Sequence, residues 1–376
     1  MSDLLRQRPP ATPAMLAVWS DAATIGHALA FETALARAQE AEGVIAPGDA
    51  EAVETACASL LIDPVALAEE AAHAGTLAIP LVRRLRASAE HAHRGATSQD
   101  LADTVLMVQV RAATTLLRVD TGRIRAALRL LAERHAATSA IGRTLLQDAL
   151  PIPFGLRVAQ WRLGAVEATR RLFTEVDAHA VLQLGGPVGT GVGLGGPAVA
   201  ARVAATLGLS EGPPWHARRT GVAGIAAAVG ILIGTLGKMA RDVALLAQNT
   251  VGEAHEPFVT GRGGSSAMAH KRNPVGAQVA LAAAHRAPGL VAGVLGALPA
   301  ELERGVGGWQ AEGPMLADLF LLASGATAAM AEVAEGLDVD GAAIARNLAA
   351  SGLDATPGKG SGEGDPLIAE LLARGD

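Results

Sequence analysis

Two hydroxyls, three basic residues and an amide crowd into Gly261-Arg-Gly-Gly-Ser-Ser-Ala-Met-Ala-His-Lys-Arg-Asn-Pro274. Gly263, Gly264, Ser265 and Ser266 in a row cannot hold a regular element, so the stretch starts as a loop. Asn273 before Pro274 reads as a helix cap followed by the first helical position, and the alanine-rich run from Val275 carries the helix on. Unpaired backbone N–H groups at a helix start attract anions, and Lys271 and Arg272 add charge beside them. Such a loop could handle a proton next to a carboxylate. On residue types alone, a solvated Gly/Ser loop ending in a good cap reads equally well.

Three other stretches carry chemistry. In His93-Arg-Gly-Ala-Thr-Ser-Gln-Asp-Leu-Ala-Asp103, Thr97 and Asp100 have capping-box spacing, and taken alone a good N-cap is the stronger reading. Gly142-Arg-Thr-Leu-Leu-Gln-Asp-Ala-Leu-Pro151 places Arg143, Thr144 and Gln147 at the end of an apolar run, as in a lined cleft or an ordinary exposed helix end. Arg304 stands alone in Leu298-Pro-Ala-Glu-Leu-Glu-Arg-Gly-Val-Gly-Gly-Trp309. The G-x-G-x-x-G at Gly191, Gly193 and Gly196 is not read as dinucleotide-binding, because no strand–helix–strand unit surrounds it and Pro197 follows at once.

The elements that must hold these groups are helices. Half of the 376 residues are hydrophobic, only 2% are aromatic and tyrosine is absent, a balance that suits close-packed Ala/Leu helices. Long apolar runs at about 100–135, 153–182 and 220–250 predict a bundle, and no alternation of period two predicts a strand. The uncharged run Gly221–Gly237, with its Gly230-x-x-x-Gly234, reads as a core helix rather than a membrane span. The expected division is an N-terminal helical domain (1–95), a central long-helix bundle (96–350) and a short C-terminal tail (351–376). Net charge −6 argues against nucleic acid as a partner, and the single Cys57 and the lack of an apolar leader fit a cytoplasmic protein. No metal set such as H-E-x-x-H appears, so no metal and no cofactor are expected.

Gly264-Ser-Ser-Ala-Met-Ala-His-Lys-Arg-Asn-Pro274 resembles the signature loop of the fumarase/aspartase superfamily, with Ala269 standing where the family has proline. His-Arg-Gly-Ala-Thr-Ser-Gln-Asp resembles the first signature in the adenylosuccinate lyase and carboxymuconate cycloisomerase branches, and Gly142–Pro151 resembles the second. The resemblance spans roughly residues 15–350 and implies an all-α long-helix fold whose core is shared by several subunits. It implies Ser265 as general base, with Lys271 and Thr144 also catalytic. It implies His93, Arg94, Thr97, Ser98, Arg143, Gln147, Ser266, Asn273 and Arg304 as substrate-binding residues. Leu302 and Gly305 depart from the pattern around Arg304.

Leu145 stands where the lyases of the superfamily carry a histidine acid, and leucine cannot donate a proton to a leaving group. The cycloisomerase branch also lacks that histidine. The resemblance therefore implies a cycloisomerase of aromatic catabolism: one carboxylate of a small polycarboxylate adds to a double bond, with proton transfer, to close a lactone. It also implies a homotetramer with active sites shared between subunits. The alternatives are an adenylosuccinate lyase-like elimination releasing fumarate, and a non-catalytic helical scaffold. The family's usual third domain is not expected, since a Thr/Pro/Gly linker and one short helix follow residue 350.

Overall fold

The computed structural model describes residues 4–264, 268, 271–353 and 364–375. The helices are α1 (Leu4–Gln7), α2 (Pro13–Val18), α3 (Asp21–Ala41), α4 (Asp49–Ser59), α5 (Pro64–Ala74), α6 (Ala78–Arg86) and α7 (Ser98–Arg134). A hairpin of β1 (Ser139–Thr144) and β2 (Gln147–Pro153) leads to α8 (Phe154–His179), α9 (Pro197–Leu207) and α10 (Thr220–Leu246). Then come β3 (Ala254–His255), α11 (Val275–Gly296), α12 (Gly308–Gly336), β4 (Asp338–Val339), α13 (Gly341–Ser351) and α14 (Gly364–Arg374).

Local signals start the early helices. The Ser20 hydroxyl accepts from the Ala23 amide at 3.2 Å, and Asp63 accepts from Val65 at 3.0 Å just ahead of Pro64. The long helices close a ring in which α7 packs on α8, α8 on α10, α10 on α11, α11 on α12 and α12 back on α7. On α10, Ile225, Val229, Leu232 and Leu236 recur at helical spacing and are fully buried; each such side chain contributes roughly 1.5–3 kcal/mol of burial. Gly230 lets α11 come close, since a Cβ there would lie 2.7 Å from the Val291 side chain.

Helices α10, α11 and α12 are each long and apolar enough to cross a membrane. In this chain α10 and α12 bury most of that length against their neighbours, whereas α11 leaves most of its own uncovered. The expected tail is a docked helix: Ile368, Leu371 and Leu372 of α14 join the core, and the buried Arg162 of α8 donates to the Leu372 and Gly375 carbonyls. A guanidinium at a helix C-terminus satisfies carbonyls the helix itself leaves open.

One expectation is corrected: strands do occur, as the β1–β2 hairpin and the short β3–β4 pair. Helix α6 ends at Arg86, short of His93. Arg86 Nε donates to the Ala92 carbonyl at 2.9 Å, and His93 (φ +59°) and Gly95 (φ +74°) take left-handed conformations that no α-helix accommodates.

Candidate active site

Thr97 and Ser98 stand at the head of α7, held by a buried polar hub. Asp100, in the first turn, is fully buried and accepts from the Thr97 amide at 3.0 Å, as the capping-box spacing predicts. It also accepts from the Gly185 and Gly186 amides at 2.9 Å and pairs with His216 Nε2 at 2.9 Å. One turn on, Asp103 receives Arg219 through both terminal nitrogens at 2.7 and 2.9 Å, and Arg219 Nη2 reaches Glu312 of α12 at 2.5 Å. Burial pushes the Asp103 and Glu312 carboxyls up, against the opposing pull of Arg219. The glycine-rich turn exists for close approach: a Cβ on Gly95 would lie 2.5 Å from the Gly193 carbonyl oxygen.

Arg304 arrives at the same point. Its Nη2 donates to Thr97 Oγ1 at 2.5 Å and to the Pro187 carbonyl at 3.0 Å. Thr97 therefore accepts from Arg304 while its own proton stays available to an anion. Ser98 and His93 line a cavity of about 520 Å³ with Arg83 and Arg86 of α6. His93 Nδ1 meets the fully buried Glu32 of α3 at 2.6 Å. Arg94 is exposed and reaches His91 Nδ1 at 3.1 Å, while its carbonyl accepts from Gln39 at 2.9 Å.

The second signature is the β1–β2 hairpin rather than a helix end. Leu145 and Leu146 form its two-residue tip at φ +52° and +66° and are 96% and 72% exposed. The pairing shifts register between Gly142 and Arg143, a bulge that re-aims Arg143. Arg143 clamps the buried Glu253 at 2.6 and 3.0 Å and bonds Asp148 at 3.0 Å. Burial alone would raise the Glu253 carboxyl, but hydrogen bonds from Arg143 and Asn347 outweigh it and bring it below the usual carboxylate range. Thr144 and Arg143 line a second cavity of about 870 Å³ with Arg157, Gln160, Lys238 and Gln248. Burial lowers the Arg157 guanidinium, one of whose terminal nitrogens is buried without a hydrogen-bond partner. Gln147 is exposed and pairs with Thr144 across the tip.

Ser265, Ser266 and Ala269 lie outside the described residues. Lys271 is exposed and Asn273 half-buried, its amide donating to the Gly263 carbonyl at 2.8 Å. The expected cap is corrected: the helix begins at Val275, and no side chain of Asn273 or Pro274 caps it. Glu256 does so from a distance, accepting from the Gly276 and Ala277 amides at 2.9 and 2.7 Å. The helix start expected to receive a substrate anion is thus occupied by the chain's own carboxylate.

Within one chain, then, Thr97, Ser98, His93 and Arg304 come together, whereas Arg143 and Thr144 line a different cavity and Gln147 stays on the exposed hairpin. Among the described residues no hydrogen bond joins Lys271 or Asn273 to either group, and no cluster of three or more His, Cys, Asp or Glu side chains could hold a metal. Sequence reasoning missed Glu32, Arg219, Glu253 and Glu256 as partners, since each lies far along the chain from the group it holds. Only Asp100 carried a local signal, the T-x-x-D spacing.

Comparison with known proteins bears on this arrangement. A family profile described as Lyase matches residues 8–289. The chain is 45% identical over 349 residues, covering 90% of it and 77% of the relative, to the 3-carboxy-cis,cis-muconate cycloisomerase of Bradyrhizobium diazoefficiens. It is 39% identical to the nitrosuccinate lyase of Streptomyces davaonensis, covering 99% of this chain and 82% of that one. Among solved structures, the 3-carboxy-cis,cis-muconate lactonizing enzyme of Pseudomonas putida superposes with a TM-score of 0.86 at 38% identity, covering 93% of this chain and 80% of that chain.

Proposed function

This chain belongs to the lyase family, and we propose that within it the protein acts as a 3-carboxy-cis,cis-muconate cycloisomerase. The single observation that carries the reading is 45% identity over 90% of the chain to an enzyme of that name. Leu145 agrees with it, because closing a lactone expels no amine that a histidine would have to protonate.

In this reaction a substrate carboxylate attacks the alkene carbon, a C–O bond forms, and the π electrons pass to the carbon next to another carboxylate. A proton then joins that carbon, and the lactone is complete. Thr97 and Ser98 would hold one carboxylate by hydroxyls at the start of α7, with Arg304 fixing the Thr97 hydroxyl. Lys271 and Asn273 would stabilise the charge that develops, an effect worth on the order of 3–4 kcal/mol per well-placed donor. Ser265 is assigned the carbon proton, Thr144 the support of that step, and Arg94, Arg143, Gln147 and Ser266 the remaining contacts. Arg143 reaches substrate only through the face that Glu253 leaves open.

The same reading makes the protein a cytoplasmic homotetramer. Its support is that α11 leaves an apolar length uncovered, and that the two signature cavities share no lining residue, as sites assembled from several subunits require. The division into an N-terminal helical part, a bundle and a C-terminal segment belongs to this proposal too.

The test is spectrophotometric turnover of 3-carboxy-cis,cis-muconate with the lactone identified. Wild type should be active, and Ser265→Ala should lose most turnover while keeping its fold; full activity in Ser265→Ala overturns that assignment. A β-elimination releasing fumarate is the second reading, favoured by the alignment of 99% of the chain with the nitrosuccinate lyase. Fumarate release from nitrosuccinate, without lactone from the muconate, would select it.

A further inference from the structure

We propose that Glu32 is a positioning residue for His93. Its carboxylate accepts a hydrogen bond from Nδ1–H, so that Nε2 is the nitrogen left to meet a substrate carboxylate in the cavity shared with Ser98, Arg83 and Arg86. The inference rests on the polycarboxylate reading given above.

Glu32 is fully buried, yet only one of its oxygens is bonded: Oε1 meets His93 Nδ1 at 2.6 Å, and Oε2 has no partner. A buried carboxylate so sparsely satisfied is a poor choice for stability, since leaving a buried oxygen without a partner costs free energy that an apolar side chain would not. His93 is held against its own preferences as well. Its backbone sits at φ +59°, a conformation L-residues rarely adopt and one that concentrates at functional sites. The next residue is tied down by Gln39, which donates to the Arg94 and Leu194 carbonyls at 2.9 and 3.2 Å. The ring packs on Phe31 with centroids 6.4 Å apart. Packing, strain and the Nδ1 bond together leave the imidazole one orientation, with 10% of the side chain exposed at the cavity.

The charges facing this ring are Glu32 from α3, Arg83 and Arg86 from α6, and His91 and Arg94 from its own segment. Arg83, paired with Glu70 at 2.5 Å, and Arg86, whose Nε donates to the Ala92 carbonyl while its charge stays without a carboxylate in the lining, keep the cavity wall positive. A carboxylate arriving at Nε2 requires a proton there, which comes from solvent. The imidazolium then donates Nδ1–H to Glu32 and Nε2–H to the substrate, lying between two carboxylates. Without Glu32 the imidazolium loses the acceptor of its Nδ1–H and the contact that aims Nε2 at the cavity.

The experiment is a double-mutant cycle read as steady-state kinetics on 3-carboxy-cis,cis-muconate, with thermal unfolding in parallel. Glu32→Leu should raise KM about tenfold with kcat within about threefold, while the unfolding midpoint holds or rises. His93→Gln should raise KM comparably, and the double variant no further than either single one, because both remove the same contact. Glu32→Gln, whose amide oxygen also accepts Nδ1–H, should recover part of the loss. An unchanged KM in Glu32→Leu, or additive losses in the double variant, overturns the proposal while leaving the cycloisomerase reading intact. A wild-type protein that does not turn over the muconate removes both.

Discussion

The head of α7 and the β1–β2 hairpin, both proposed above to contact a carboxylate, are built in opposite ways. At the head of α7, Asp100, Asp103, Arg219 and Glu312 are all buried and bonded to one another's elements, so Thr97 and Ser98 stand on an over-determined base. The hairpin is held at its base by Arg143 on Glu253 and by Arg157 donating to the Ile141 carbonyl at 2.7 Å, and its tip carries two leucines in solvent at positive φ. The first site is organised by its own chain. The second exposes its tip, which on the tetramer proposed above would complete a neighbour's site. Preorganisation and reach are different tasks, and the same molecule divides them between a buried network and an exposed loop.

The largest test of this contrast is Arg219→Ala. It leaves Asp103 and Glu312 buried without their cation, so unfolding in denaturant should show a loss of about 3–5 kcal/mol. Arg143→Ala should cost stability less, on the order of 1–2 kcal/mol, because Asn347 still donates to Glu253 at 3.0 Å. Comparable losses from the two variants would erase the distinction. Next comes Asp100→Ala, expected to cost about 2–3 kcal/mol and to raise KM. Hydrogen exchange should then speed at Gly185 and Gly186, whose amides it receives.

Substitution at the hairpin tip should separate stability from turnover. Leu145→Gly relieves left-handed strain of about 1–2 kcal/mol but loosens the unfolded chain by about 0.5–1 kcal/mol, so the unfolding free energy should rise by no more than about 1.5 kcal/mol. Turnover should nevertheless fall if the tip completes a partner's site, and unchanged kinetics would count against that role. The smallest effect is with pH. Glu253 is held below its ordinary 4.5, so its contribution is complete above that value and is lost as pH falls through the lower folded one. Asp103 and Glu312 are raised, so acid does not weaken the hub through them. Hydrogen exchange over residues 139–153 should therefore accelerate on acidification before that of α7, and Glu253→Gln should abolish the difference.

How far the sequence reached can be seen element by element. The long helices follow from apolar period: α7 and α8 start and end within a few residues of the expected runs, because their spacing is set locally. The hairpin did not show, since a two-residue turn normally announces itself with Asn-Gly or Asp-Gly, and here Leu145-Leu146 occupy it. The helix cap at Asn273-Pro274 read plausibly and was wrong in its agent, for Glu256 caps from a separate segment of chain.

The sequence by itself determined the helical class, the positions of the chemically capable residues and the membership that its motifs announce, because these depend on neighbours within a few residues. Only the tertiary structure decided which of those residues meet. It put Arg304 on Thr97, Glu32 under His93 and Arg143 on Glu253, and it set the hairpin apart from the head of α7. The physical reason is that a buried charge must find its partner wherever the packing of helices brings one, and no local pattern records that meeting.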